Sequence, residues 1–71
     1  MTGASMTIQV NGQAREIPED LTVSHLLETL KVAPERVVVE LNLTILKRAQ
    51  HPRTVLQEGD QVELVQFVGG G

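Results

Sequence analysis

The sequence predicts an α+β roll, a mixed sheet of four to five strands with one main helix laid across one face. Three observations lead there. Apolar residues alternate at Met6, Ile8 and Val10 and run straight into Asn11-Gly12. A single stripe at helical spacing occupies Val23, Leu26, Leu27 and Leu30. Strand-like runs then return at Val37 to Leu41 and at Gln61 to Val68. One helix can cover only one face of a sheet of this size, so the layers number two.

Taken in order, Met1 to Ser5 is small, polar and patternless. It reads as a frayed terminus or an added remnant, with Met6 as an alternative start. The folded domain is expected over residues 6–68. Asn11-Gly12 is the strongest short hairpin signal, because both central positions of a type I′ turn need φ > 0. A two-residue loop pairs Val10 with Gln13, Ile8 with Arg15 and Met6 with Ile17. Ile17 suits the buried face, whereas Arg15 must run its stem along the sheet to reach water. Pro18-Glu19-Asp20 ends the strand. Thr22 then supplies an N-cap, and Leu21 before it can staple onto Leu26. Ser24, His25, Glu28 and Lys31 take the wet side of the helix, Lys31 suits its negative end, and Pro34 forbids continuation.

Val37 to Leu41 reads as a largely buried strand, and Leu43 to Leu46 as its continuation after a bend at Asn42 or as a short partner. Lys47 to Arg53 is polar and basic, a loop or a short turn of helix. Thr54-Val55-Leu56 re-enters the core, and Glu58-Gly59-Asp60 turns the chain into the last strand. On that strand Val62 and Leu64 share one face, with Glu63, Val65 and Phe67 on the other. A slip of one position would exchange the two sets.

Composition excludes several functions. A chain of 71 residues forms one domain, since either half would be too small to enclose a core. With no cysteine, neither a disulfide nor thiol catalysis is available. Nine acidic residues against six basic, net charge −3, with one Phe and no Tyr or Trp, argue against nucleic-acid binding. The longest apolar run, Val37-Val38-Val39, is far too short for a membrane span, and no secretory signal is expected. These readings point to a cytoplasmic protein that is monomeric when free. No phosphate-binding loop or dinucleotide turn is present. His25 and His51 stand apart without a ligand pattern and are expected on the surface, so no metal or cofactor is expected on this chain. Catalysis by the chain alone is not expected.

The end of the chain is its most informative part. A well-patterned strand runs directly into Gly69-Gly70-Gly71, so half of the six glycines are the last three residues. Without side chains, such a tail can pass through a channel too narrow for any other residue. Four extended residues from Val68 reach roughly 13–14 Å beyond the sheet, carrying the Gly71 carboxylate. An inert terminus or a linker stub has the same composition. A three-glycine tail offers little binding energy, so docking must come from the domain surface. Val65, Phe67 and Val68, an outward apolar group beside the tail, are the candidate partner interface. Glu58, Asp60 and Glu63, with no basic residue after Arg53, could steer that end toward a basic partner.

Ile8-Gln9-Val10-Asn11-Gly12, the segment Val55 to Leu64 with its Glu58-Gly59-Asp60 turn, and Phe67-Val68-Gly69-Gly70-Gly71 resemble the ubiquitin-like sulfur-carrier proteins. Among these the ThiS family is the nearest in pattern, over residues 6–71. The resemblance implies a β-grasp fold whose last strand lies centrally, parallel to the first. It further implies that a ThiF-type adenylating enzyme, using ATP and Mg²⁺, draws in residues 69–71 and adenylates the Gly71 carboxylate. Sulfur from a persulfide on another protein would replace AMP, and a thiazole synthase would accept it from the resulting thiocarboxylate in thiamine biosynthesis. Gly71 is then a substrate and the chain a protein co-substrate. Carriers for molybdopterin or cysteine synthesis, and ubiquitin-like protein modifiers, share the features on which this rests.

Overall fold

The computed structural model describes residues 4–67. Five strands form one sheet: β1 (Ser5–Val10), β2 (Gln13–Pro18), β3 (Val37–Leu41), β4 (Thr44–Leu46) and β5 (Gln61–Gln66), in the order β2-β1-β5-β3-β4. The helix α1 (Val23–Leu30) crosses one face, and 3₁₀ turns at Pro34–Arg36 and Arg48–Arg53 complete the chain. β5 is central and runs parallel to β1 and antiparallel to β3. This is the ubiquitin-like β-grasp arrangement.

The β1–β2 register is the one set by a two-residue turn, with Val10 opposite Gln13, Ile8 opposite Arg15 and Met6 opposite Ile17. Asn11 and Gly12 carry φ of 51° and 82°, as a type I′ turn demands. Pairing extends one residue beyond the predicted start. Ser5, assigned from sequence to the leading extension, pairs with Pro18 and donates from Oγ to Glu16 Oε2 at 2.7 Å. The ladder simply continues for as long as β2 offers a partner.

At the start of α1 the Thr22 hydroxyl accepts from the His25 N–H at 3.1 Å, satisfying one of the free donors of the first turn. At its end Lys31 adopts φ 60°, its N–H donating to Glu28 O at 3.1 Å and that of Val32 to Leu27 O at 2.9 Å. This paired closure normally uses glycine at the left-handed position. The helix buries Val23, Leu26 and Leu27 against Ile8 and Val10 of β1, Val39 of β3 and Val62 of β5, with Leu56 closing the side. The segment carrying Leu56 is held to the helix start by two bonds, Val23 N–H to Thr54 O (3.0 Å) and Leu56 N–H to Leu21 O (2.8 Å).

Leu43 to Leu46 takes the second of its two readings. Asn42 and Leu43 form a tight turn with φ of 51° and 72°, and β4 folds back on β3 as a short edge strand. Asn42 is locked to the entry of β5, donating to Asp60 Oδ1 at 3.0 Å and accepting from Gln61 N–H at 2.9 Å.

His51 departs from expectation. It is 3% exposed, inside the 3₁₀ segment, and among the described residues neither ring nitrogen has a hydrogen-bond partner of good geometry. Burial holds its pKa below the ordinary 6.5; the nearby Leu46 carbonyl opposes this, and the Arg48 charge adds to it. A polar residue in an aperiodic segment carries no burial signal of its own; packing against α1 buries it.

Candidate functional site

The site is organised by β5. With β1 on one side and β3 on the other, the strand occupies the centre of the sheet, and it delivers the chain to Phe67 at one pole. The Phe67 N–H donates to Arg36 O at 2.8 Å, so the last described residue is still tied to the edge of β3. Val68 and Gly69, Gly70 and Gly71 lie outside the described residues.

The alternation along β5 holds as read. Val62 is buried and Leu64 half-buried under the helix, while Val65 and Phe67, 58% and 56% exposed, lie on the helix-free face. β3 and β4 add to that face. Val38 lies directly opposite Val65, and Ile45 lies opposite Glu40, which itself faces Glu63. Residues opposite one another in a sheet project to the same side. Val38, Ile45, Val65 and Phe67 therefore share one surface beside the end of β5, with Ile45 62% exposed. Isolated exposed apolar residues are ordinary, but several gathered on one face mark a contact surface. Ile45 and Val38 were not read as candidates. A recognised turn at Asn42-Leu43 would have started a period-two count placing Ile45 outward.

The acidic residues near β5 divide into two groups. Glu58 accepts from the Thr7 N–H at 3.2 Å, and Asp60 accepts from Gln57 N–H at 2.8 Å and from Asn42. Both are occupied in the turn that starts β5, at the pole opposite Phe67. Glu63 stands on the outer face, exposed and next to the apolar group, with half-buried Glu40 of β3 directly opposite it. Of the three acidic residues expected to steer this end, Glu63 alone lies on that face, where Glu40 of β3 adds a second carboxylate. Among the described residues no group of three or more His, Asp or Glu could hold a metal ion, and no helix is long and apolar enough to cross a membrane.

Comparison with known proteins matches the ThiS family model over residues 8–71. The chain is 35% identical over 66 residues to the sulfur carrier protein ThiS of Escherichia coli, covering 93% of this chain and all of that one. It is 42% identical to a thiazole synthase of Magnetococcus marinus, of which it spans only 20% of the length while 93% of this chain is covered. The crystal structure of the thiamine biosynthesis protein ThiS from Geobacter metallireducens superposes with a TM-score of 0.80 at 43% identity, covering 93% of this chain and all of that one. With a matched fold, a family model reaching from β1 to residue 71 and a full-length relative above 30% identity, the chain belongs to the ThiS family of small sulfur carrier proteins.

Proposed function

We propose that this chain carries sulfur in thiamine biosynthesis as a thiocarboxylate on Gly71, serving as the protein co-substrate of a ThiF-type adenylating enzyme in the cytoplasm. The observation that carries the proposal is the family match, which extends through the final glycines. Exposed Val65, Phe67 and Ile45 on the face beside the end of β5 support it, because a glycine tail needs a separate surface to provide affinity.

The chemistry follows from the weakness of a carboxylate as an acylating agent. Attack of the Gly71 carboxylate on the α-phosphorus of Mg²⁺-bound ATP gives an acyl adenylate and pyrophosphate. The terminal sulfur of a persulfide then attacks the acyl carbon and expels AMP. A thiol cuts the sulfur–sulfur bond, is itself oxidised to a disulfide, and leaves the thiocarboxylate. A thiazole synthase accepts that sulfur; the similarity to proteins of that name supports this partner. Residues 69–71, lacking side chains, would thread the channel, while Val65, Phe67 and Val68 grip its rim.

Intact-mass measurement after incubation with a ThiF-type enzyme, ATP, Mg²⁺ and a persulfide donor tests the proposal. The mass should rise by the difference between sulfur and oxygen. An unchanged mass, or larger covalent conjugates through lysines in cells, would contradict it, the second outcome indicating a protein modifier.

A further inference from the structure

Among the described residues, β5 beyond the Leu64 N–H is paired on one side only. Even-numbered residues of this strand turn their backbone groups toward β1. The Val62 carbonyl accepts from Asn11 N–H at 2.9 Å, and the Leu64 N–H donates to Asn11 Oδ1 at 2.7 Å. There β1 stops, its pairing with β5 ending at Val10 opposite Val62. Beyond that point the Leu64 carbonyl and both backbone groups of Gln66 face an empty lane, with no partner among the described residues. The other side is closed, since β3 pairs with β5 as far as Gln66.

A groove of about 240 Å³ runs beside this lane, with Val10, Leu30, Val32 and Leu64 supplying apolar walls and Arg15 and Gln66 polar ones. Arg15 enters none of the side-chain hydrogen bonds of the described residues. A strand edge with one donor and two acceptors that have no partner among the described residues, an apolar slot and a guanidinium not engaged by those residues together specify one kind of guest. Main-chain pairing gives such a guest affinity, and pockets for alternate side chains select it. A guanidinium fork selects a carboxylate.

We propose that the adenylating partner adds an extended segment to the sheet along Leu64 to Gln66, with an aliphatic side chain against Leu30 and Val32 and an aspartate or glutamate on Arg15. The inference rests on the carrier reading above, because the lane lies at the pole where the chain leaves toward its glycines. About three residues of strand, roughly 10 Å, fill it.

The test uses the full chain and a ThiF-type enzyme with ATP and Mg²⁺. Amide hydrogen exchange at Gln66 is measured free and in the complex, and dissociation constants are measured for Gln66→Pro and Arg15→Glu. Proline removes the one N–H that faces the lane while leaving the β3 ladder intact. The Gln66 amide should exchange at least about tenfold more slowly in the complex, and each variant should bind at least about tenfold more weakly. Arg53→Glu, the same charge reversal away from the groove, should bind as the unaltered chain does. Normal processing with an unprotected Gln66 amide and unchanged affinities overturns the inference alone. So does a Gln66 amide already protected in the free chain, whether by its own tail or, if concentration-dependent, by a second copy. An unaltered chain that forms neither complex nor thiocarboxylate overturns the carrier reading, and this inference with it. Should Gln66→Pro fail to fold, the exchange measurement on the unaltered chain still decides.

Discussion

The side-chain oxygen of Asn11 accepts a hydrogen bond from the Leu64 main-chain N–H at 2.7 Å, across 53 residues of sequence. Asn11 thereby does two jobs. Its φ of 51° makes the first hairpin turn, and its amide prolongs the β1 side of the β5 ladder by one rung after β1 has ended. The first turn and the last strand are coupled through one side chain.

Replacing Asn11 with Gly keeps the turn but deletes the acceptor and leaves the Leu64 N–H unpaired. It should cost about 1 kcal/mol of stability. Asn11→Asp retains an acceptor and tolerates the backbone, and should cost less. Urea denaturation of the two variants checks this; equal loss in both would show that the bond to Leu64 contributes nothing.

Leu43 sits at φ 72° with 87% of its surface exposed, so it takes on left-handed strain without gaining burial. Leu43→Gly should raise stability by about 1 kcal/mol, since glycine relieves a cost of roughly 1–2 kcal/mol and gives back part of it in chain entropy. Lys31→Gly, at φ 60° at the helix end, should act in the same direction. Thermal melts read both.

His51 makes stability depend on pH. Its folded-state pKa is lowered, chiefly by burial, so the unfolded chain takes up a proton first as pH falls. The contribution of the neutral, buried ring is complete above the unfolded value of 6.5, shrinks below it, and is lost as pH falls through the folded value. Denaturation at several values between pH 8 and pH 5 should show a steeper decline than in His51→Leu. Parallel profiles would contradict the assignment.

Phe67→Ser and Ile45→Lys, the second placing a cation opposite Glu40, alter exposed positions and should change stability by no more than about 0.5 kcal/mol. If the helix-free face is where the adenylating enzyme grips, each should raise the KM for this chain about tenfold with little effect on kcat. Steady-state kinetics with the carrier as varied substrate separates the two constants.

Much of this was legible in the residues because the periods are clean. Met6, Ile8 and Val10 with Asn11-Gly12 determined the first hairpin and its register, and the alternation from Val62 to Phe67 determined which apolar residues face out. The β3–β4 turn stood as one of two readings because Asn42-Leu43 lacks the glycine that usually announces φ > 0, and without a fixed turn the outward placement of Ile45 did not follow. The burial of His51 and the pairing of Ser5 depend on neighbours distant in sequence, and local pattern does not carry them. The free edge of β5 arises where β1 stops short of its partner, a relation between two strands that neither expresses alone.

Chemical capping of the Gly71 carboxylate, as the C-terminal amide, tests the central claim most directly. Incubated with the adenylating enzyme, ATP, a persulfide donor and a thiazole synthase, the amide should release no pyrophosphate and support no thiazole formation while its fold and melting behaviour stay unchanged. Thiazole formed at the normal rate by the capped chain would show that sulfur travels by some other group.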